Sequence, residues 1–350
     1  METGKMKLSA IARELGLSVT TVSRVLHNRP DVKAETRKRV LDYVQGAGFY
    51  PGSVGSDVRM VGVVDSFRRH SLASYYNASL LEGIDQKLYE LGYVTSIVHA
   101  ELIDREHRSY DNVRLLNRLA GLVWLGPVFD EHYRSIADKH NIPTVVVNCA
   151  ARDVAINHVE VNSRKAAATA TEYLLGLGHS KIAFIGGQMD NPNMLDRVDG
   201  YRAALAQAGI TPDAGLVIDD ITLWNEEGGA EGVYRLMSRG AAPTALIVAS
   251  DFLVAGVYRA LRELGYEIPY SISVVSFDDS PIASYVTPPV TSCQQPLREI
   301  ATLATDILTQ RINAGRQSSE PVHRVVNMPF IVRQSTASPE SEGAILTPEV

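Results

Sequence analysis

Leu8–Leu26, reading LSAIARELGLSVTTVSRVL, decides how the rest of this 350-residue chain is read. Ile11, Ala12 and Leu15 recur at spacings of three and four, which predicts one buried helical face. Gly16 follows as a residue that can leave a helix through a left-handed conformation. Ser18 is a good N-cap for a second helix with Val22, Val25 and Leu26 as its buried positions. Helix, glycine turn and capped second helix is the layout of a helix-turn-helix, whose second helix enters the DNA major groove. On spacing alone an ordinary pair of surface helices fits equally well.

The outer face of the second helix separates the two readings. Val19, Thr20, Ser23 and Arg24 face away from the predicted core and form a small mixed polar surface with one arginine. A valine or threonine methyl suits a thymine methyl, hydroxyls suit either base partner, and arginine suits the paired acceptors of guanine. A third helix is predicted from about Ala34 to Ala47, with Val40, Val44 and Ala47 closing a three-helix core. Arg37, Lys38 and Arg39 on it are within reach of a backbone phosphate; a solvated face is the plainer reading of that triplet.

Charge supports the nucleic-acid reading once it is divided. Residues 1–51 hold nine Lys/Arg and five Asp/Glu, a net +4, which leaves −10 on the remainder of a chain whose total is −6. A basic head on an acidic body concentrates phosphate attraction in one small domain. Gly48–Gly52 ends the head, and Ser53–Arg59 reads as a short linker containing glycine.

From Val61 the pattern changes to alternating strand and helix. Val61–Asp65, Val94–His99, Gly121–Leu125 and Thr144–Asn148 suit buried parallel strands, with helices near Leu80–Glu90, Arg108–Arg118 and Glu131–His140 between them. A second set follows: helices Ser163–Leu177, Asp196–Ala208, Glu227–Arg239, Leu253–Leu264 and Leu297–Ala314. Its strands fall at Lys181–Gly186, Leu216–Ile218, Ala245–Ala249 and Ser273–Phe277. The fold class predicted is α/β, two lobes of doubly wound parallel sheet behind an N-terminal three-helix head. Ligands of such sheets bind at the carboxyl ends of strands, so the cleft between lobes is the expected site. The tail from about Ala337 is rich in Ser, Glu and Pro and is expected to be disordered.

Several function classes are excluded or disfavoured. No apolar run reaches the ~18 residues of a membrane span, and no signal-peptide core opens the chain, so a cytoplasmic protein is expected. Cys149 and Cys293 supply neither a disulfide framework nor metal spacing and are read as inert thiols. His70 and His99 are isolated, and no metal cluster or cofactor is expected. Neither a Gly-x-Gly-x-x-Gly nor a Walker loop follows a strand, and no nucleophile elbow is visible, which argues against an enzyme.

The motifs carry a resemblance. From about Lys7 to Thr336 the chain resembles the lactose-repressor (LacI/GalR) family of bacterial transcription regulators. The segments that carry it are Ile11–Leu26, Val32–Pro51, Ala170–His179, Ile182–Gly187, Arg197–Tyr201, Pro243–Asp251, Ile272–Asp279, Pro288–Thr291 and Pro329–Thr336. The resemblance implies a periplasmic-binding-protein-like two-lobed core and a homodimer reading palindromic operator DNA. It also implies a small effector, often a sugar or nucleobase, held between the lobes. The base readers it gives are Val19, Thr20 and Arg24, and the full DNA-contacting set expected is Ser18, Val19, Thr20, Thr21, Ser23, Arg24, Asn28 and Arg37. The effector set is Tyr76, Arg197, Trp224, Ser250 and Asp278, with a sugar the expected ligand. Arg197 and Asp278 suit charge-assisted hydrogen bonds to hydroxyls, and Trp224 offers a flat apolar face. Arg197 and Asp278 pairing with each other, or Tyr76 in a core, are the plainer alternatives. Trp124 lies in a strand and is read as core, and His179 as structural.

The domain boundaries that follow are 1–51 for the head, 52–60 for a hinge, 61–336 for the effector-binding and dimerisation core, and 337–350 for the tail. Residues 52–59 depart from the family pattern. They are short, contain two glycines and lack the leucine that wedges the minor groove, so no stable hinge helix is expected there. Asn162-Ser163 and Ser250 stand where the family favours Asp-Asn and asparagine. The expected mechanism is a reciprocal coupling of effector and operator affinity; a solute receptor without DNA regulation is the alternative reading.

Overall fold

The computed structural model describes residues 8–26, 32–46, 59–65, 74–100, 103, 116, 118–126, 129–148, 154–187, 191–314 and 320–339. The chain divides into two compact units, Met1–Arg59 with Gly92–Val94, and Met60–Leu91 with Thr95–Val350.

The head contains α1 (Leu8–Leu15), α2 (Val19–Leu26) and α3 (Ala34–Gly46). Gly16, at φ +65°, ends α1: its N–H donates to Arg13 C=O at 3.3 Å and that of Leu17 to Ala12 C=O at 2.8 Å. That pair of bonds satisfies two carbonyls the helix end would leave orphaned. Ser18 Oγ accepts from Thr21 N–H at 3.0 Å and starts α2. Ile11, Ala12, Val22, Val25 and Val40 form the buried core, with Leu15, Leu17, Val32, Leu41 and Tyr43 against it. The expected core positions Leu26, Val44 and Ala47 lie outside the described side chains.

The larger unit holds two six-stranded sheets. The first lobe has β1 (Arg59–Asp65), β2 (Tyr93–His99), β3 (Leu119–Leu125), β4 (Thr144–Val147), β5 (Asn157–Val161) and β11 (His323–Val326), in the order β11-β5-β4-β3-β1-β2. The second has β6 (Ile182–Gly187), β7 (Val217–Ile221), β8 (Ala245–Val248), β9 (Ser273–Asp278), β10 (Thr291–Gln294) and β12 (Phe330–Ile331), ordered β12-β10-β9-β8-β6-β7. Every pairing between β6 and β10 is parallel, but β12 runs antiparallel on the edge, so this sheet is not parallel throughout as expected. In each lobe the strand order reverses beside the first strand, β1 against β3 and β6 against β8. Crevices open at the carboxyl ends of strands at such reversals.

The helices of this unit are α4 (Tyr75–Glu90), α5 (Glu131–Lys139), α6 (Ser163–Gly176), α7 (Pro192–Gln207), α8 (Glu226–Ser238), α9 (Asp251–Glu263), α10 (Pro281–Tyr285) and α11 (Leu297–Ala314). Two start earlier than their apolar spacing predicts. Ser74 caps α4 through Asn77 N–H at 3.2 Å, which brings Tyr75 and Tyr76 into its first turn. Asn191 caps α7 through Asn193 N–H at 3.0 Å, with Pro192 preset for the first helical position. The helix expected at Arg108–Arg118 lies, apart from Leu116 and Arg118, outside the described residues, as do linker residues 51–58.

Strands β5, β10, β11 and β12 have no counterpart in the sequence reading: the first three are too polar to form apolar runs, and β12 is only two residues long. β10 is Thr-Ser-Cys-Gln, and its hydroxyls are spent internally: Thr291 Oγ1 accepts from Arg333 N–H at 2.9 Å and Ser292 Oγ from Asp279 N–H at 3.1 Å. The start of the expected tail also departs from expectation. Ala337 donates its N–H to Ser273 Oγ at 3.0 Å and accepts from His179 Nε2 at 2.9 Å, so Ala337–Pro339 are held on the second lobe. Residues 340–350 lie outside the described set.

Trp124 is buried in the first-lobe core, its ring 5.1 Å from that of Phe129 and edge-on to it. In the second lobe α8 and α9 cross at backbone contact. A Cβ on Gly256 would stand 1.6 Å from Glu226 O, and one on Gly229 2.0 Å from Leu253 O.

Candidate functional site

Two sets of side chains were expected to act, one in each unit. In the head, Val19 is 46% exposed, Thr20 and Arg24 are exposed, and Ser23 is half-buried, so these four do form the outward face of α2. Ser18 and Thr21 are engaged with each other, Oγ to Oγ1 at 2.8 Å, in addition to the cap bond. Arg37 is half-buried on α3 and Lys38 exposed. Arg39 is exposed, and its Nη2 donates to Leu15 C=O at 3.3 Å, so this guanidinium helps to close the end of α1. Asn28 lies outside the described residues.

In the larger unit the structure gathers Tyr76, Arg197, Trp224, Ser250 and Asp278 around one cavity of about 220 Å³ between the lobes. Each arrives from the carboxyl end of a strand: Tyr76 follows β1, Arg197 β6, Trp224 β7 and Ser250 β8, and Asp278 ends β9. Asn148, Asn191, Asn193, Phe252 and Gln295 line the same cavity and were not anticipated. Their signal was positional: each sits one to six residues past the end of a strand, and Asn191 is a cap before Pro192.

Arg197 lies on the inward face of α7, 3% exposed, with its guanidinium carbon 4.4 Å from the centre of the Phe277 ring. Its Nη1 donates to Ala249 C=O. Nη2 is 3.8 Å from Asp278 Oδ1, an ion-pair separation too long for a hydrogen bond, and Nε has no hydrogen-bond partner among the described residues. Burial pulls the Arg197 pKa below its usual value, and the neighbouring Asp278 carboxylate partly restores it. The plain alternative of mutual pairing is thus met only loosely, and both groups keep hydrogen-bonding capacity at the cavity.

Asp278 is held rather than merely placed. Ser250 Oγ donates to its Oδ2 at 2.6 Å, Gln295 N–H donates to its C=O at 3.0 Å, and its φ is +103°. A non-glycine residue in that region is strained and persists only where its surroundings over-determine it. One brace is Asp251, buried at the start of α9. Its carboxyl accepts from Ser276 Oγ at 2.5 Å, Ser280 N–H at 2.7 Å and Ser280 Oγ at 2.9 Å. Burial first, and the charge of Asp278 second, push the Asp251 carboxyl up to about 7.

On the opposite wall Asn148, at φ +48°, donates through Nδ2 to Tyr76 Oη at 2.5 Å and accepts from Val161 N–H at 2.9 Å. Asn193 Nδ2 donates to Asn148 C=O at 3.2 Å, a bond from the second lobe to the first. Burial pushes the Tyr76 phenol well above its usual pKa, so it remains a neutral donor. Trp224, half-buried, packs one side on the second-lobe core and lines the cavity with the other. The arrangement is amides, a guanidinium, a carboxylate and hydroxyls converging between apolar walls, which suits a small, neutral, hydroxyl-rich ligand.

His179 takes the structural part expected of it. It is 3% exposed, and Nε2 must donate to Ala337 C=O, which sets the tautomer so that Nδ1 accepts from Thr244 Oγ1 at 2.9 Å. Cys293 is buried, its thiol pushed up to about 12 by burial; Cys149 lies outside the described residues.

Comparison with known proteins bears on both units. Residues 7–52 match the model of bacterial regulatory proteins of the lacI family, and residues 171–336 that of the periplasmic binding protein-like domain. The HTH-type transcriptional regulator AscG of Escherichia coli (strain K12) is 30% identical over 300 residues, covering 83% of this chain and 87% of that protein. The chain belongs to the lacI family. It is a DNA-binding transcriptional regulator built on a helix-turn-helix head and a two-lobed core. The ribose operon repressor of the same bacterium is 29% identical over 333 residues, spanning 93% of this chain and 98% of that one. A solved complex, transcriptional regulator CelR with cellobiose, is 26% identical over 95% of this chain and 100% of its own, with a TM-score of 0.67. These lacI-family relatives are regulators, and none of the comparisons supports a receptor without DNA regulation.

Proposed function

We propose that this regulator is a repressor that reads its operator as a homodimer through α2 and is controlled by a monosaccharide bound in the interlobe cavity. Val19, Thr20, Ser23 and Arg24 are the base-reading face, and Ser18 and Thr21 serve it by starting the helix at a fixed angle. Arg37 and Lys38 are the phosphate contacts, with Asn28 assigned to the DNA set on family pattern alone. The exposed apolar residues Tyr89, Leu91 and Ile97 at the α4–β2 edge of the first lobe support burial against a second copy.

The observation that carries the effector reading is the Arg197–Asp278 pair. A buried guanidinium and a half-buried carboxylate held at 3.8 Å keep unspent hydrogen-bonding capacity at a cavity, and vicinal hydroxyls can bridge them as donor and acceptor at once. Tyr76, Asn148, Asn193 and Ser250 add neutral partners around a ring, and Trp224 supplies the face on which its C–H groups rest. A cavity of about 220 Å³ has room for roughly seven waters at ~30 Å³ each, the scale of one sugar ring. The printed partners of two relatives, ribose operon and cellobiose, agree with the sugar class.

The test uses the purified full chain, duplexes from its own promoter region, and a panel of monosaccharides read by fluorescence anisotropy. Sequence-selective binding that one sugar changes at least about fivefold is expected. Binding that is salt-sensitive but sequence-blind, and indifferent to every sugar, overturns the proposal.

A further inference from the structure

Pairing of β5 with β11 brings together three side chains that the effector site does not use. His158 and Glu160 are two residues apart on β5 and therefore share one face of the sheet. β11 runs parallel to β5 with His323 in register with His158, which puts the His323 side chain on that same face. One nitrogen of each imidazole and one Glu160 oxygen lie within 4.8 Å of one another. The two rings stack with centroids 5.2 Å apart and 7° between planes, and His323 Nε2 is 2.8 Å from Glu160 Oε1.

We propose that His158, Glu160 and His323 bind a divalent transition metal, zinc(II) being the ion their donor set suits. Two imidazole nitrogens and one carboxylate oxygen are the borderline ligands zinc takes at ~2.0–2.2 Å, whereas calcium and magnesium call for oxygen cages. A His-x-Glu pair on one strand with a histidine directly across is a strand-built chelate, and three protein ligands leave a fourth position for water.

The surroundings favour such a site. Trp124, Val146, His158 and His323 form one row across β3, β4, β5 and β11, running from the buried core to the sheet edge. His158 is 4% exposed and its position is set by that packing; the Glu160 side chain is 14% exposed and that of His323 54%. Metal thus enters from the exposed His323 side. Tetrahedral ligation at those bond lengths needs donor separations of roughly 3.4 Å, so His323 swings in and exchanges its bond to Glu160 for a shared metal. Both imidazoles bind as neutral ligands. The bound ion fastens β11, a four-residue edge strand with three exposed residues, to β5. Both strands lead the chain into the second lobe, and Asn162 N–H already donates to Val326 C=O at 2.9 Å beside the crossings.

The test is a calorimetric titration of Zn²⁺ into the untagged, chelator-treated full chain at pH 7.5, repeated on His323→Ala and Glu160→Gln. One ion per chain with micromolar or tighter affinity is expected, weakened about tenfold or more in each variant, with metal-free operator binding unchanged. Co²⁺ gives a second readout in a Trp224→Phe background: it should quench Trp124, some two strand spacings away at ~4.8 Å each, and fail to do so after His323→Ala. Equal Zn²⁺ affinity and stoichiometry in wild type and His323→Ala, or no uptake by wild type, overturns the site.

Discussion

At the scale of single residues, the functional reading of this regulator rests on side chains that face solvent or the cavity, and stability on those with buried partners. Arg24 stands exposed on the outer face of α2. Arg24→Ala is expected to cost ~1–3 kcal/mol of operator affinity and to relax preference at one base position, read by binding to an operator library. A uniform loss on all sequences would make it a phosphate contact instead. Trp224 offers one free face to the cavity, and Trp224→Ala should weaken the bound sugar by ~1 kcal/mol, about fivefold, in a calorimetric titration. Equal affinity removes the stacking role. His179 is the contrasting case, with partners on Thr244, Ser273 and Ala337. His179→Ala leaves buried partners unsatisfied and should destabilise the core by about 2 kcal/mol or more in urea. Burial lowers its pKa from 6.5, so the folded chain binds this proton less readily than the unfolded one. Its contribution is whole above pH 6.5 and declines as pH falls through the folded value. Denaturation midpoints at pH 5 and pH 7.5 should therefore differ less in the variant than in wild type.

Elements in this chain are set by their ends and by how closely they approach. Capping decides where α2, α4 and α7 begin, and so which side chains of the first turns reach a site: Ser18 turns the outer face of α2, Ser74 brings in Tyr76, and Asn191 orients Arg197. Close approach decides α8 and α9, whose backbones meet at Gly229 and Gly256. Gly256→Ala puts a methyl on the Glu226 carbonyl and should destabilise the second lobe by ~1–3 kcal/mol or more, as overpacking does. Gly176→Ala, at the end of α6 where nothing lies within 4 Å, should instead stabilise by ~0.4–1 kcal/mol through the unfolded chain. Thermal midpoints moving in opposite directions would bear this out; equal shifts would show that crowding is not the operative constraint.

For the whole molecule, the interlobe cavity is a two-sided clamp. Asn148 and Tyr76 come from the first lobe and Arg197, Ser250 and Asp278 from the second, with Asn193 to Asn148 C=O as a direct bond across. A ligand that gains differentially from closure shifts the lobes, and by linkage its effect on operator affinity equals the operator's effect on its own binding. Sugar affinity measured with and without saturating operator should change by the same factor, about 5–150-fold, as operator affinity with and without sugar. Unequal factors at equilibrium would mean that a second site contributes.

The strongly periodic or apolar parts of this chain were legible from sequence because burial alone dictates them. The helix-turn-helix core of Ile11, Val22 and Val25, the strands around Val123, Val146 and Ile247, and the core place of Trp124 all follow from which residues must leave water. The five cavity residues were named through family resemblance, and their convergence depended on the strand order that brings the carboxyl ends of their five strands to one crevice. What tertiary structure alone decided is wherever polar groups find distant partners. β10 and β11 are too polar to read as strands, Arg39 reaches back to Leu15 C=O, and Ala337 is drawn from the tail onto His179. The same holds for His158, Glu160 and His323, which meet across more than 160 residues of chain. Apolar burial is a property of a residue and its near neighbours, and so is written locally. A hydrogen bond or a chelate is a property of a pair in space, and only the folded register supplies the second member.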